Sequence, residues 1–309
     1  MRESKADYSR RDVLRLLAAS GALAALPAGL VTAASEMLRR QIPSSGEALP
    51  VIGLGTSQVF DVDRDEAALE PLARVLEILT GQGGTVVDTS PMYGRAEGVT
   101  GHLAGEAGIT DRLFLATKVW TEGQEKGVEQ MEDSFRLLGT DRIDLMQVHN
   151  LIDWRLHLET LLEWKEAGRI RYIGITHYRT DAYAALEQVL NSAEWDFVQL
   201  NYSILTPDAE QRLLPLAKER GIAVMVNRPF ERGGTFQRVR NVELPGWAAE
   251  LDIQSWGQFF LKWVISNPTV TCVIPGTSKP KHMIDNAGAG HGAMPDAAMR
   301  QKMREYVLG

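Results

Sequence analysis

The chain has 309 residues, 44% hydrophobic and 24% charged, which is typical of a globular protein and excludes a disordered or collagen-like chain. Lys and Arg number 33 against 40 Asp and Glu, and this net charge of −7 argues against a nucleic-acid-binding protein. The single cysteine, Cys272, excludes an intramolecular disulfide. The six histidines lack the spacing of a zinc site, so we predict no metal site.

The N-terminus has the pattern of an export signal. A positive cluster of Arg10, Arg11 and Arg15 precedes residues 16–35, which carry no charge. A charged region followed by a mildly apolar one predicts a signal peptide over residues 1–34. The arginine pair resembles the twin-arginine export motif, so we expect an exported, periplasmic protein that engages this export machinery. A membrane anchor and a cytoplasmic extension remain alternatives, since 20 uncharged residues could span a bilayer.

After this segment, short β-branched runs alternate with amphipathic helical patterns. The eight strand candidates are PVIGLGT, TVVDTS, LFLATKV, IDLMQVHN, YIGITHY, FVQLNYS, AVMVNRP and TCVIPGT. Helical patterns lie between them at residues 127–139, 158–170, 181–193 and 208–221. Three of these regions contain a glycine that we expect to cap its helix in the left-handed conformation, namely Gly139, Gly168 and Gly221.

Helices between consecutive strands require parallel strand pairing. Eight such units predict an α/β fold, a (β/α)8 TIM barrel, formed by residues 48–309 as a single domain after a short linker at residues 35–47. A doubly wound open sheet is the alternative, because periodicity does not say whether the sheet closes.

In a barrel of this kind the active face lies at the C-terminal ends of the strands. Those ends carry a series of polar side chains, in chain order Asp88, Tyr93, Lys118, His149, Asn150, Thr176, His177, Gln199, Asn201, Asn227 and Arg228. The opposite strand ends, such as Thr85 and Leu113, carry no comparable set. We therefore expect the chemistry at one rim.

Five motifs resemble the aldo/keto reductase family. They are LPVIGLGT, DTSPMYG, ATKVW, DLMQVHN and VIPGTSKPKHMIDN, and the resemblance extends from about Leu49 to Asn286. It implies an NADPH-dependent enzyme that reduces aldehydes or ketones to alcohols. By the same resemblance Tyr93 is the proton donor, Lys118 and Asp88 tune it, and His149 positions the substrate carbonyl.

Elementary chemistry agrees with these roles. Hydride delivery to a carbonyl builds negative charge on the oxygen, which then needs a proton. A tyrosine with an ordinary pKa of about 10 is a weak acid, so we expect the Lys118 ammonium to lower the pKa of Tyr93. A lysine inside a core strand needs a counter-charge, and Asp88 is the candidate. His149 could donate a hydrogen bond to the carbonyl oxygen.

The resemblance also implies the cofactor contacts. They are Gly55, Thr56, Thr176, His177, Gln199, Asn227, Arg228, Pro229, Gly276, Thr277, Ser278, Lys279, His282, Asp285 and Asn286. The chain has no G-x-G-x-x-G fingerprint. Thr277 and Ser278 precede a predicted helix, and its N-terminus suits a phosphate. Positive charge on Lys279, Lys281 and His282 indicates a 2′-phosphate and hence NADPH.

Three departures from the family pattern leave NADH possible. Gly276 and His282 stand where the family usually has Lys and Arg, and Asn227 replaces an aromatic residue that stacks on the nicotinamide. These losses favour the alternative function, a nucleotide-binding barrel acting as a redox sensor or partner subunit with little turnover. The intact catalytic set favours the enzyme, because a sensor has no need to keep Tyr93 with Lys118.

The substrate is expected to be a small-molecule carbonyl compound, whose identity the sequence does not give. Four residues are placed to line its pocket, namely Trp120, Asn150, Trp154 and Phe230. We expect a monomer.

Overall fold

Eight parallel strands form the centre of the protein in a computed structural model that describes residues 36–309. The predicted export signal at residues 1–34 lies outside the described residues. A hairpin of β1 (Arg39–Gln41) and β2 (Ala48–Pro50) comes first. The barrel strands are β3 (Leu54–Gly55), β4 (Val86–Asp88), β5 (Phe114–Val119), β6 (Ile143–His149), β7 (Ile170–His177), β8 (Phe197–Asn201), β9 (Ala223–Asn227) and β10 (Val270–Val273).

The barrel strands pair in chain order from β3 to β10, each parallel to its neighbour. Parallel bridges from Ile52 to Val273 and from Gly55 to Gly276 join the two edges of this sheet. A Cβ on Gly55 would lie 2.8 Å from the carbonyl oxygen of Ile274, so the seam closes only because residue 55 has no side chain. The predicted (β/α)8 barrel is confirmed, and the open-sheet alternative is wrong.

Helices connect the strands and cover the barrel. They are α1 (Glu66–Gly81), α2 (Ala96–Glu106), α3 (Gln124–Leu138), α4 (Trp154–Glu166), α5 (Tyr183–Ser192), α6 (Leu213–Glu219), α7 (Gly234–Arg238), α8 (Trp256–Ile265), α9 (Pro280–Gly288) and α10 (Ala297–Leu308). The predicted glycines Gly139, Gly168 and Gly221 all adopt positive φ. Within residues 36–309 no helix has the length and apolar character needed to cross a bilayer.

The hairpin occupies much of the segment predicted as a linker. Arg40 donates to the carbonyl oxygens of Ile265, Asn267 and Val270 at 2.6, 2.5 and 2.7 Å. Ile42 is fully buried among side chains of the barrel interior. Residues 39–50 are therefore built into the fold, which differs from the expected short linker at residues 35–47.

The barrel interior changes from apolar to polar along the strands. Side chains two residues apart on a strand share a face, so Phe114, Ala116 and Lys118 of β5 all point inward. Phe114 and Ala116 belong to a buried apolar cluster with residues from other strands. Lys118 lies beyond that cluster, in the layer nearest the C-terminal rim. The same alternation on the neighbouring strands places the polar side chains described next.

Candidate active site

A buried ion pair lies at the centre of the rim. Lys118 is fully buried, and its Nζ lies 2.8 Å from each carboxylate oxygen of Asp88 and 2.6 Å from the carbonyl oxygen of Thr89. Three acceptors thus surround an ammonium that has three N–H donors. Burial lowers the pKa of Lys118, but the Asp88 charge opposes it and the net pKa shift is upward. Lys118 is therefore a cation at neutral pH.

Two glutamines complete the environment of Asp88. Gln199 Nε2 donates to Asp88 Oδ1 at 2.8 Å, and Gln147 Nε2 donates to the same oxygen at 3.2 Å. Gln199 Oε1 accepts from Thr176 Oγ1 at 3.2 Å and from Asn227 Nδ2 at 3.3 Å. Gln199, assigned to the cofactor by resemblance, is thus part of the network that holds the carboxylate.

Tyr93 lies over this pair, on the loop that follows β4. The Lys118 Nζ is 5.1 Å from the centre of the Tyr93 ring. Burial raises the pKa of Tyr93, the Lys118 charge lowers it, and the net pKa shift is upward. Lys118 thus acts on the pKa of Tyr93 in the expected direction, but desolvation outweighs the ammonium. Tyr93 keeps its proton at neutral pH, and Lys118 limits how weak an acid it becomes.

His149 ends β6 and lies edge-on to Tyr93, with 6.0 Å between the ring centroids. Burial, and next the Lys118 charge, lower the pKa of His149 to about 2, so the imidazole is neutral. Its Nδ1 lies 3.2 Å from Ser90 Oγ, which also accepts from the backbone N–H of Met92 at 3.3 Å. From this network we assign the Ser90 hydroxyl as the donor and His149 Nδ1 as the acceptor of their hydrogen bond. The proton of the neutral ring is then on Nε2, which can donate it in a hydrogen bond to a ligand.

These residues open into a cavity of about 550 Å³. Predicted residues that line it are Gly55, Asp88, Tyr93, His149, Thr176, Gln199, Asn227, Arg228, Pro229, Phe230 and Gly276. Lys118 lies beneath it, in contact with Asp88. Trp120 stands near the edge of the cavity and is 38% exposed. Its ring centroid lies 6.5 Å from that of His149. The structure therefore brings most of the predicted rim to one space.

The cavity wall has features that fit a dinucleotide. Gly55 and Gly276 face each other across the seam, and a Cβ on Gly276 would lie 3.1 Å from the Gly55 carbonyl oxygen. Both present bare backbone to the cavity. The Oδ1 of Asn227 is buried and has no hydrogen-bond partner among residues 36–309, so it is available to an amide donor of a ligand.

The predicted phosphate site lies at the N-terminus of α9. Thr277 Oγ1 accepts from the backbone N–H of Lys279 at 3.0 Å, immediately before Pro280 begins the helix. Burial, then the charges of Lys279 and Lys281, lower the pKa of the His282 side chain. His282 is therefore neutral at pH 7, which corrects the expectation that it adds positive charge there; the two lysines supply it.

Other predicted cofactor residues are engaged elsewhere. Asp285 accepts from Ser255 Oγ at 2.7 Å, and Thr56 donates through its backbone N–H and Oγ1 to the Asp88 carbonyl oxygen at 2.9 and 3.1 Å. His177 Nδ1 accepts from the Arg179 N–H at 3.1 Å. None of the three lines the cavity. Ser278 and the buried Asn286 lie on the α9 side, also outside the cavity lining.

Three predicted pocket residues do not line the cavity, namely Trp120 near its edge, Trp154 and Asn150. The Trp154 ring packs 6.2 Å from that of Trp195 and does not line the cavity. Asn150 adopts φ 55° and donates its backbone N–H to Thr176 at 2.8 Å. Leu151 and Asp153 also have positive φ, so the loop turns Trp154 away from the direction expected for a residue just after a strand.

The sequence did not predict several residues of the site, among them Ser90, Gln147, Tyr178 and Arg232. Ser90 lies inside the DTSPMYG motif, and Gln147 precedes His149 by two residues and so shares its face. Tyr178 directly follows β7 and lines the cavity, where the Arg228 guanidinium lies 3.9 Å over its ring. Arg232 lies five residues after the end of β9, and nothing in the sequence indicates that it lines the cavity.

Comparison with known proteins gives a consistent result. A sequence profile of the Aldo/keto reductase family matches residues 51–302. Aldo-keto reductase YhdN of Bacillus subtilis is 29% identical over 211 residues, which span 62% of each chain. Methylglyoxal reductase YeaE of Escherichia coli is 28% identical over 87% of this chain and 96% of its own. An aldo-keto reductase structure from Klebsiella pneumoniae in complex with NADPH superposes with TM-score 0.71 at 26% identity, covering 87% of this chain and 96% of the other.

The fold and the site define a barrel oxidoreductase, in which a tyrosine lies beside a buried lysine–aspartate pair and a neutral histidine. The chain belongs to the aldo/keto reductase family.

Proposed function

We propose that this protein reduces aldehydes or ketones to alcohols with NADPH. The observation that carries the proposal is the convergence of Tyr93, the Lys118–Asp88 pair and His149 on one cavity. Two findings support the cofactor, namely the dinucleotide-compatible cavity wall and the Klebsiella pneumoniae relative in complex with NADPH. The relative from Escherichia coli that is named a methylglyoxal reductase makes methylglyoxal the first substrate to test.

NADPH supplies the hydride when it is bound, and Gly55, Gly276, Asn227 and the N-terminus of α9 would hold it. His149 donates from Nε2 to the carbonyl oxygen, which orients the substrate and stabilises negative charge there. Tyr93 gives its proton to that oxygen. The fixed Lys118 ammonium stabilises the phenolate left on Tyr93, and Asp88 keeps the ammonium charged in a buried site.

Tyr93→Phe tests the acid. We expect kcat for methylglyoxal reduction to fall by about 10²- to 10⁴-fold, because a positioned general acid contributes this much. The Kd for NADPH, followed by tryptophan fluorescence, should stay within about twofold, since the ring is kept. Tyr306→Phe is the matched control, because Tyr306 is exposed and donates to the Glu243 carbonyl oxygen.

Full activity in Tyr93→Phe would refute the proton-donor role. NADPH binding without turnover of methylglyoxal or other carbonyl compounds by the wild-type protein would instead favour the redox-sensor alternative. Comparable binding of NADH would mean that Lys279, Lys281 and His282 do not discriminate between the cofactors.

We further propose that residues 1–34 are a twin-arginine export signal and that the mature protein is a periplasmic monomer. The support is the arginine pair before an uncharged stretch, and the position of all barrel strands within residues 54–273, which cleavage would leave intact. N-terminal sequencing of exported protein should find a start near Ala34 or Ser35, and an intact Met1 would argue for an anchored or cytoplasmic protein. Light scattering should give the mass of one chain.

A further inference from the structure

Gln147 of β6 is a buried amide that lies outside the cavity lining. Its side chain is fully buried and does not reach the cavity wall. Side chains two residues apart on a strand share a face, so Gln147 points into the barrel with Leu145 and His149. Burying an amide costs free energy unless hydrogen bonds compensate it. An apolar side chain would avoid this cost, so we expect the glutamine to serve the site through its hydrogen bonds.

The Gln147 amide is bonded to the Asp88 carboxylate. Its Nε2 donates to Asp88 Oδ1 at 3.2 Å, and its Oε1 accepts from Gln199 Nε2 at 3.4 Å. Gln199 donates to the same carboxylate oxygen at 2.8 Å. Asp88 Oδ1 is therefore held by two amides that are also joined to each other, and the carboxylate cannot rotate without breaking these bonds.

The neighbouring strand leaves room for the Gln147 side chain. Gln147 pairs with Lys118 of β5 on one side and with Gly174 of β7 on the other. A Cβ on Gly174 would lie 2.9 Å from Gln147 Cγ, which is closer than real side chains approach. The same Cβ would lie 3.2 Å from atoms of Leu145 and Phe197, so its closest contact is with Gln147. An alanine at residue 174 would therefore displace the Gln147 side chain.

The charge of Asp88 acts on Tyr93 in the opposite direction to that of Lys118. Burial raises the pKa of Tyr93, the Lys118 charge lowers it, and the Asp88 charge raises it. Amide N–H groups that donate to Asp88 Oδ1 weaken the effect of its negative charge on the phenol. The ammonium also keeps its place, because both carboxylate oxygens lie 2.8 Å from Lys118 Nζ. The hydrogen bond from Gln147 thus favours the phenolate that forms when Tyr93 gives up its proton.

We propose that Gln147 is a positioning residue for proton transfer from Tyr93, because it fixes the carboxylate that in turn fixes the Lys118 ammonium. This role rests on the proposed reductase function and adds one residue to the machinery of the proton step. Since Gln147 does not line the cavity, its loss should slow the chemical step and leave the binding of substrate and cofactor unchanged.

Gln147→Met tests this role, because methionine keeps an unbranched chain and loses the amide. Gln258→Met is the matched control, since Gln258 is also buried, lies outside the cavity lining and accepts from the Gln254 backbone N–H at 2.8 Å. Gly174→Ala is a second test, which displaces Gln147 by crowding and removes no polar group of the site. Urea unfolding checks that each variant folds. The kcat and KM for methylglyoxal are measured in ordinary and in heavy water, and the Kd of NADPH by tryptophan fluorescence.

We expect kcat to fall about tenfold in Gln147→Met, the scale of one hydrogen bond to a charged group, with KM and the Kd of NADPH unchanged. The ratio of kcat in ordinary water to kcat in heavy water should rise, because a slower proton transfer limits more of the rate. Gly174→Ala should cause a smaller loss of kcat that disappears in the Gln147→Met background, since it acts through that side chain. Gln258→Met should change neither kcat nor this ratio.

A folded Gln147→Met protein with the wild-type kcat and the wild-type ratio would overturn the role. An equal loss of kcat in Gln258→Met would also overturn it, because the cause would then be general destabilisation. If Gln147→Met does not fold, Gly174→Ala decides, and an unchanged kcat and ratio in that variant would refute the role. An inactive wild-type protein would instead refute the proposed reductase function, and the role of Gln147 with it.

Discussion

The buried ion pair makes a quantitative prediction about stability. Lys118→Met removes the ammonium and leaves the Asp88 carboxylate in a site where both side chains are at most 3% exposed. Breaking one side of a buried pair costs about 3–5 kcal/mol, because the remaining charge has no compensation. Gln147 and Gln199 still donate to Asp88 at 3.2 and 2.8 Å, so we expect the lower end, about 3 kcal/mol of unfolding free energy.

Urea unfolding of the wild type, Lys118→Met, Asp88→Asn and the double variant measures this cost. The double variant removes both charges, so it should be more stable than the sum of the single effects predicts, by about 1 kcal/mol or more. The pKa of Lys118 is raised in the folded state. Its contribution to the unfolding free energy is therefore complete below the unfolded pKa of 10.5 and is lost only as pH rises through the pKa of the folded state. The difference between wild type and Lys118→Met should therefore persist from pH 6 to 9. A cost below about 1 kcal/mol, or strict additivity in the double variant, would refute the reasoning.

Two further predictions concern the neutral histidine. The pKa of His149 is lowered from 6.5 to about 2, so its contribution to stability is present above pH 6.5 and is lost as pH falls, at up to about 1.4 kcal/mol per pH unit. In urea unfolding between pH 6.5 and 4, His149→Gln should show a flatter slope than the wild type, whereas exposed His102→Gln should keep the wild-type slope. Ser90→Ala should lower kcat several-fold while leaving NADPH affinity unchanged. In ¹⁵N NMR spectra the Nε2-protonated form of His149 should be dominant only when Ser90 is present. An Nδ1-protonated ring in the wild type would contradict the assignment.

The secondary structure of the barrel could be predicted because its strands are buried on both faces and its helices on one. Parallel strands covered by helices have sequences of short apolar runs, and all eight candidates overlap a barrel strand. The closure of the sheet was not predictable from the same pattern. It depends on backbone contact between Gly55 and Gly276, two positions at opposite ends of the barrel sequence.

The positions of Asp88, Lys118 and His149 at one rim could be predicted because strand ends fix the place of a side chain in a barrel. Loop residues could not, since their direction depends on local backbone conformation. Positive φ at Asn150, Leu151 and Asp153 turns Trp154 towards Trp195, and positive φ at Arg228 accompanies its packing on Tyr178. The direction of the Tyr93 pKa shift also required the structure, because it is the balance of burial against the charge of Lys118. The export signal stays a prediction.

The bonds of Arg40 have a consequence for the order of folding. This residue contacts carbonyl groups 225 to 230 positions further along the chain, at the end of α8 and just before and within β10. Contacts of such sequence separation form late, because the intervening loop must be ordered first. The hairpin of β1 and β2 lies at the N-terminal end of the barrel strands. It therefore cannot dock until β10, the last strand, has been synthesised and has paired with its neighbour. A chain truncated before β10 should therefore stall as an open barrel that is sensitive to proteolysis.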